Sequence, residues 1–130
     1  MKILVIQQKM IGDVLTSSIL FEAIKLKYPD AETHYVINSH THAVVKNNPY
    51  IDKFQFVDQE IQNNKKQLFI FSKNLKEEQF DVVIDVYSKT SSNVMSWFTK
   101  AKTRISKYKY YTAFLYTHTF KDKKNPETNA

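Results

Sequence analysis

With 130 residues, 42% of them hydrophobic and 14% aromatic, the chain is long enough for one domain with its own core and too apolar for a disordered segment. It has no cysteine, which excludes disulfides and thiolate metal sites, and no apolar run of about eighteen residues, which excludes a membrane-spanning helix. The net charge of +6 is local: residues 1–99 balance eleven Lys against eleven Asp or Glu, whereas residues 100–124 carry seven Lys and one Arg against Asp122 alone.

In chain order, Lys2–Ile6 (KILVI) is a continuous apolar run ended by Gln7, Gln8 and Lys9, the pattern of a strand buried on both faces. The polar break and the lack of a small-residue cleavage site argue against a signal peptide, and the expectation is a cytoplasmic protein. Val14, Leu15, Ile19, Leu20, Ala23, Ile24 and Leu26 then recur at helical spacing until Pro29 ends the helix. ETHYVI (Glu32–Ile37) reads as a second strand, and THAVVKNNPY as a short helix stopped by Asn47, Asn48 and Pro49. DKFQFVD is a third strand, residues 63–80 one helix, and DVVIDVY the clearest later strand. A helix over 91–99 follows, capped by Ser91 or Ser92, and then a short strand at KTRIS. Strands alternating with helices at this spacing predict a parallel sheet covered on both faces, a doubly wound, Rossmann-like α/β domain. That domain is expected over residues 1–120, with 121–130 a polar tail or the start of an interdomain segment.

Gly12 is the only glycine, where average usage would give roughly nine. It stands where the first strand hands over to the first helix, on the side of the sheet where open α/β folds bind ligands. A glycine there permits a positive φ or a close approach of ligand to backbone. Asp13 follows at or near the helix N-cap. Two compatible roles are open to it: a cap for the free N–H groups, or a carboxylate presented to the crevice as a general base. A single glycine excludes both GxGxxG and GxxxxGK[ST], so a dinucleotide-binding Rossmann domain and a P-loop NTPase are set aside. A response-regulator receiver would need an acidic pair where this chain has Gln7 and Gln8.

The stretch KILVIQQKMIGDVLTSSILFEAIKLKYPDAETHYVIN, followed by NNPYIDKF and FDVVIDVYSKTSSN, resembles the N-terminal half of the glycosyltransferase family 9 heptosyltransferases. The most specific part is the apolar strand, then Gly12, Asp13, Val14, Leu15 and Thr16, then the helix ending in YPDAE. The resemblance implies a GT-B fold, with two Rossmann-like domains across a cleft, of which this chain is the acceptor-binding one. It implies inverting, metal-independent transfer of heptose from ADP-heptose, with no further cofactor, to a lipopolysaccharide core acceptor. In that scheme Asp13 is the general base and Gly12 makes the turn that aims it. Lys9, Ser88, Lys89 and Ser91 are the candidate acceptor contacts. The donor half is absent from these 130 residues, so this chain alone is expected to be inactive. Two departures stand out. Many members carry a basic residue at the end of the first strand, where this chain has Gln7 and Gln8, and Lys9 is the substitute. Many also read DLQG where this chain has Asp85, Val86, Tyr87 and Ser88.

Residues 100–124 interleave basic residues with Tyr108, Tyr110, Tyr111 and Tyr116. The plain reading is a solvated basic face with the tyrosines packed on a missing domain; within the family resemblance the segment would face an anionic acceptor or the anionic membrane surface. It also suits single-stranded nucleic acid, which gives the alternative of a non-catalytic basic module. No RNP, KH or helix-turn-helix signature supports the nucleic acid reading. His40 and His42 lie after the second strand without a third ligand, so no metal site is expected. Asp85 is expected to orient the loop after its strand, and Trp97 and Phe98 to be core.

Overall fold

The structure, a computed structural model, describes residues 1–107 and 117–120. The chain runs β1 (Lys2–Ile6), α1 (Ile11–Ser17), α2 (Ile19–Lys27), β2 (Glu32–Ile37), a 3-10 helix (Ser39–Val44), β3 (Lys53–Phe56), α3 (Gln59–Asn63), α4 (Lys65–Glu77), β4 (Val82–Asp85), α5 (Thr90–Phe98), β5 (Thr103–Lys107) and β6 (His118–Phe120). The six strands form one parallel sheet in the order β3-β2-β1-β4-β5-β6. This is the doubly wound, Rossmann-like α/β architecture predicted from the strand and helix pattern. The order reverses between β1 and β4, and the carboxyl edge at that switch point is where such sheets bind ligands. Ile6 pairs with both Val36 and Asp85, so the β1–α1 and β4–α5 loops leave the sheet side by side.

Alternate residues of a strand point to opposite faces, and β1 is buried on both. Leu4 and Ile6 join Val36 and Val83 under Leu68, Leu75 and Met95. Val5 joins Tyr35 and Ile37 under Val14, Phe21 and Val45 on the other side. Each such side chain contributes about 1.5–3 kcal/mol when fully buried. Two-sided burial is therefore why KILVI is apolar without alternation.

Several local expectations are corrected. The first helix is interrupted at Ser18, whose hydroxyl donates to the Leu15 carbonyl. A serine hydroxyl competing for a helical carbonyl bends or breaks the helix there. The helix expected over 63–80 is found as α4, capped by Asn64, whose Oδ1 accepts the N–H groups of Lys66 at 3.0 Å and Gln67 at 3.1 Å; the short α3 before it was not expected. Helix α5 starts at Thr90 with Lys89 as N-cap, and Ser92 reaches back to accept the Lys89 N–H at 3.0 Å. Trp97 is not core: it is 41% exposed, with the Lys100 ammonium 3.8 Å above its ring. Phe98 is half-buried.

Candidate active site

Gln7 and Gln8 close the carboxyl end of β1 and are both buried. Gln7 ties the loop to α1: its Nε2 donates to Ser17 Oγ at 3.0 Å, and its Oε1 accepts the Lys9 N–H at 3.2 Å. The Lys9 side chain is exposed. The N-cap of α1 is Met10, which offers no side-chain cap, so Gly12 and Asp13 are the second and third residues of the helix.

Gly12 does not adopt a positive φ. The expectation that it makes a turn is therefore corrected; the helical backbone there tolerates any residue with a Cβ. What glycine leaves is room, because a Cβ at this position would meet nothing within 4 Å. Asp13 is exposed and makes no cap bond. Among the described residues its carboxylate has neither a hydrogen-bond partner nor an ion pair. Capping does not account for it. A negative charge in the first turn of a helix faces the positive end of the helix dipole.

The second loop is built around Asp85, which is fully buried. Its Oδ1 accepts the N–H groups of Tyr87 at 3.1 Å and Ser88 at 2.7 Å, and its Oδ2 accepts from Ser96 Oγ at 3.5 Å. Asp85 orients the loop, as its position at the end of a buried strand predicted. Ser88 stands at φ 56°, with its hydroxyl on the Asp85 carbonyl at 3.0 Å and against Ser106 Oγ at 2.7 Å. It is 3% exposed, so its side chain shapes the loop from inside. Lys89 and Ser91 are brought together: with Gln62, Asn63, Tyr87 and Thr90 they line an open polar pocket of about 280 Å³. Lys9, on the neighbouring loop, and Gly12 and Asp13, in the first turn of α1, do not line it.

A relay of polar side chains joins the two loops. Ser91 Oγ donates to Gln8 Oε1 at 3.3 Å, Asn38 Nδ2 donates to the Gln8 carbonyl at 2.8 Å, and Gln62 Nε2 donates to Asn38 Oδ1 at 3.0 Å. Sequence reasoning missed Gln8 and Gln62. The one available signal was a pair of glutamines directly after a strand buried on both faces.

His42 is set edge-on against Phe54 and Phe56, with centroids 4.6 and 5.1 Å away, and His40 is exposed. Glu32, His34 and Glu78 do cluster, at the opposite, amino edge of the sheet. Lysines already serve that cluster: Lys2 Nζ is 3.0 Å from the Glu78 carboxylate and 3.8 Å from that of Glu32, which Lys53 also approaches at 3.8 Å. The hydrogen bond from His34 and these lysines hold the Glu32 carboxyl below its ordinary range. Of the basic segment over 100–124, residues 108–116 and 121–124 lie outside the described residues.

The comparisons with known proteins fall on this fold. No family model matches the sequence. A glycosyl transferase family 9 structure from Veillonella parvula superposes with a TM-score of 0.86 at 20% identity, over 96% of this chain and 37% of that one. The ADP-heptose lps heptosyltransferase II of E. coli gives 0.79 at 19% identity, over 95% of this chain and 36% of that one. The fold is that of a family 9 glycosyltransferase. The E. coli heptosyltransferase WaaC with ADP shares it at 0.78 and 13% identity, over 99% of this chain and 44% of that one. A Haemophilus influenzae protein provisionally named a glycosyltransferase is 26% identical over 117 residues, 90% of this chain. The chain spans 33% of that curated relative's length. The family 9 resemblance read from Gly12–Asp13 and YPDAE is thus matched by a family 9 fold across the described strands and helices.

Proposed function

We propose that this chain is the acceptor-binding domain of a family 9-type glycosyltransferase, with Asp13 as its general base. One observation carries the reading. At the carboxyl edge of the switch point stands an exposed carboxylate that no cap bond or ion pair of the described residues explains. The proton of an acceptor hydroxyl passes to Asp13 as that oxygen attacks the anomeric carbon of the donor. The bond to the nucleotide diphosphate breaks, and the configuration inverts. A positioned base of this kind contributes about 10²- to 10⁴-fold to rate. The open space over Gly12 lets the acceptor approach the α1 backbone. No step needs a metal ion.

The names of the structural relatives, which give ADP-heptose and lps, support ADP-heptose as donor, and the acceptor in this reading is a lipopolysaccharide core glycan. The donor would bind in a second domain outside these 130 residues. Basic residues of the segment over 100–124 would meet the anionic acceptor or the inner face of the cytoplasmic membrane. The test is a transfer assay with ADP-heptose and a delipidated core oligosaccharide. The longer protein containing this chain is expected to transfer heptose, its Asp13→Asn variant to lose activity by about 10²-fold or more, and this chain alone to show none. Undiminished turnover by the variant would refute the role of Asp13. Turnover by the isolated chain would refute its reading as half of an enzyme.

A further inference from the structure

A groove of about 560 Å³ runs between α4 and α5. Its walls are apolar: Leu68 and Phe69 come from α4, and Val94 and Phe98 from α5. The Phe69 ring stands edge-on to Phe98 with centroids 5.4 Å apart, and Trp97 meets Phe98 in the same way at 5.4 Å. Phe69 is nonetheless 50% exposed and Trp97 41%. Aromatic rings left exposed around a concave apolar surface mark a ligand groove or an interaction site.

The shape and chemistry of the groove narrow what fills it. It shares Gln62, Asn63, Thr90 and Ser91 with the polar pocket that Tyr87 and Lys89 line, so the two form one continuous depression, apolar at one end and polar at the other. The junction is held in place. Gln62 Nε2 donates to Asn38 Oδ1 at 3.0 Å and to the Val57 carbonyl at 3.1 Å, and Ser91 Oγ donates to Gln8 Oε1. Lys65 lines the groove and Lys89 the pocket, both exposed and without an ion pair among the described residues. No acid is among the lining residues of either. An occupant that satisfies both ends is amphipathic, and its polar end is negative. A protein partner of ordinary size would cover about 800 Å² of surface. A recess of a few hundred Å³, apolar with a few polar groups at one end, has instead the proportions of a small-molecule site.

We propose that this groove binds the alkyl chain of a single-chain anionic amphiphile, whose head group reaches the polar pocket and the two lysines. Lys89 and Ser91 are candidate acceptor contacts, so the inference rests on the glycosyl-transfer reading only in taking such an amphiphile for the acceptor.

The experiment titrates decanoate, below its micelle concentration, into the isotope-labelled chain. Acetate, neutral decyl maltoside and vesicles of anionic phospholipid are titrated beside it. Decanoate should give saturating shifts at the Leu68 and Val94 methyl groups, with a saturating change in the fluorescence of Trp97, the only tryptophan. Each methylene added between octanoate and decanoate should tighten binding by up to about fourfold. Acetate should leave the methyl groups unmoved, and decyl maltoside should bind about tenfold more weakly or worse. Phe69→Gln, at a half-exposed helical position, should weaken decanoate binding about tenfold or more while the melting temperature holds. Lys65→Glu should weaken decanoate but not decyl maltoside. Methyl shifts that grow linearly, a Phe69→Gln chain that binds as tightly as the original, or equal affinity for the charged and neutral chains would overturn the proposal. Methyl shifts with vesicles alone would also overturn it and mark a membrane-facing surface. The readout involves neither donor nor turnover, so its failure leaves the transfer reading standing. A failed transfer assay, equally, leaves the groove's ligand untouched.

Discussion

Asp85 holds Ser88 in the left-handed region of backbone space: its Oδ1 accepts the Ser88 N–H at 2.7 Å, and Ser88 stands at φ 56°. That conformation costs a residue with a Cβ about 1–2 kcal/mol. The bonds of the Ser88 hydroxyl to the Asp85 carbonyl and Ser106 offset the cost. Serine here replaces the conformational freedom of glycine, which the DLQG of many members of the resembled family would place at this position, with hydrogen bonds. Ser88→Gly should change stability by less than about 1 kcal/mol, since relief of strain and loss of bonds oppose each other. Ser88→Val should destabilise by about 2–4 kcal/mol, because a β-branched residue resists this φ and leaves the Ser106 hydroxyl without its Ser88 partner. Urea unfolding of the two variants measures both.

Asp13 makes no cap bond, so stability and function separate there. Asp13→Asn should lower unfolding free energy by less than about 1 kcal/mol, the worth of an exposed charge facing a helix dipole. A loss near 1–2 kcal/mol would instead mark a structural cap. Thermal unfolding beside the transfer assay distinguishes the two.

Gly12→Ala separates them in the opposite sense. The backbone is helical and the space open, so alanine should stabilise α1 by up to about 1 kcal/mol. If an acceptor approaches the backbone there, the added methyl group should weaken acceptor binding. A variant that is more stable and binds oligosaccharide unchanged would show that the glycine has no role in the site.

Acid should loosen the amino edge and the β2–β3 connection, which neutral pH leaves intact. The hydrogen bond from His34 lowers Glu32 from its ordinary 4.5. Burial would raise Asp52, yet the Lys25 ammonium at 2.7 Å and the Thr33 N–H at 2.9 Å outweigh it and hold the group below 3.8. Both carboxyls bind protons more weakly in the folded chain than in the unfolded one. Their contribution is complete above the unfolded values and is lost as pH falls through the lowered folded ones. Unfolding free energy should therefore decline below pH 4.5, and Asp52→Asn should flatten the slope below pH 3.8.

Strands β1, β2 and β4 were legible because they are largely buried between two layers, whereas β3 is not. KILVI, ETHYVI and VVID need no partner to be recognised, and β1 and β2 fall at the residues the sequence indicated. The helix boundaries were less legible, since they depend on single side chains. Ser18 breaks one predicted helix and Asn64 sets the start of another through hydrogen bonds that periodicity does not register. Gly12 and Asp13 were correctly placed at the strand-to-helix handover, but the turn ascribed to the glycine was not there: its conformation is helical. Gln8 was invisible because a glutamine after a strand is ordinarily solvated. Only the sheet order, which sets β4 and α5 beside β1, buries it.

The most direct test of the central claim, that Asp13 stands in an acceptor site, is an NMR titration of this chain with a delipidated core oligosaccharide. A single-stranded oligonucleotide at matched salt serves as the comparison. Saturating shifts at Gly12, Asp13 and the loop over 88–91 with the sugar, persisting as salt is raised, are the expected result. Shifts confined to residues 100–124, equal for both ligands and abolished by salt, would contradict it and leave a generic basic surface.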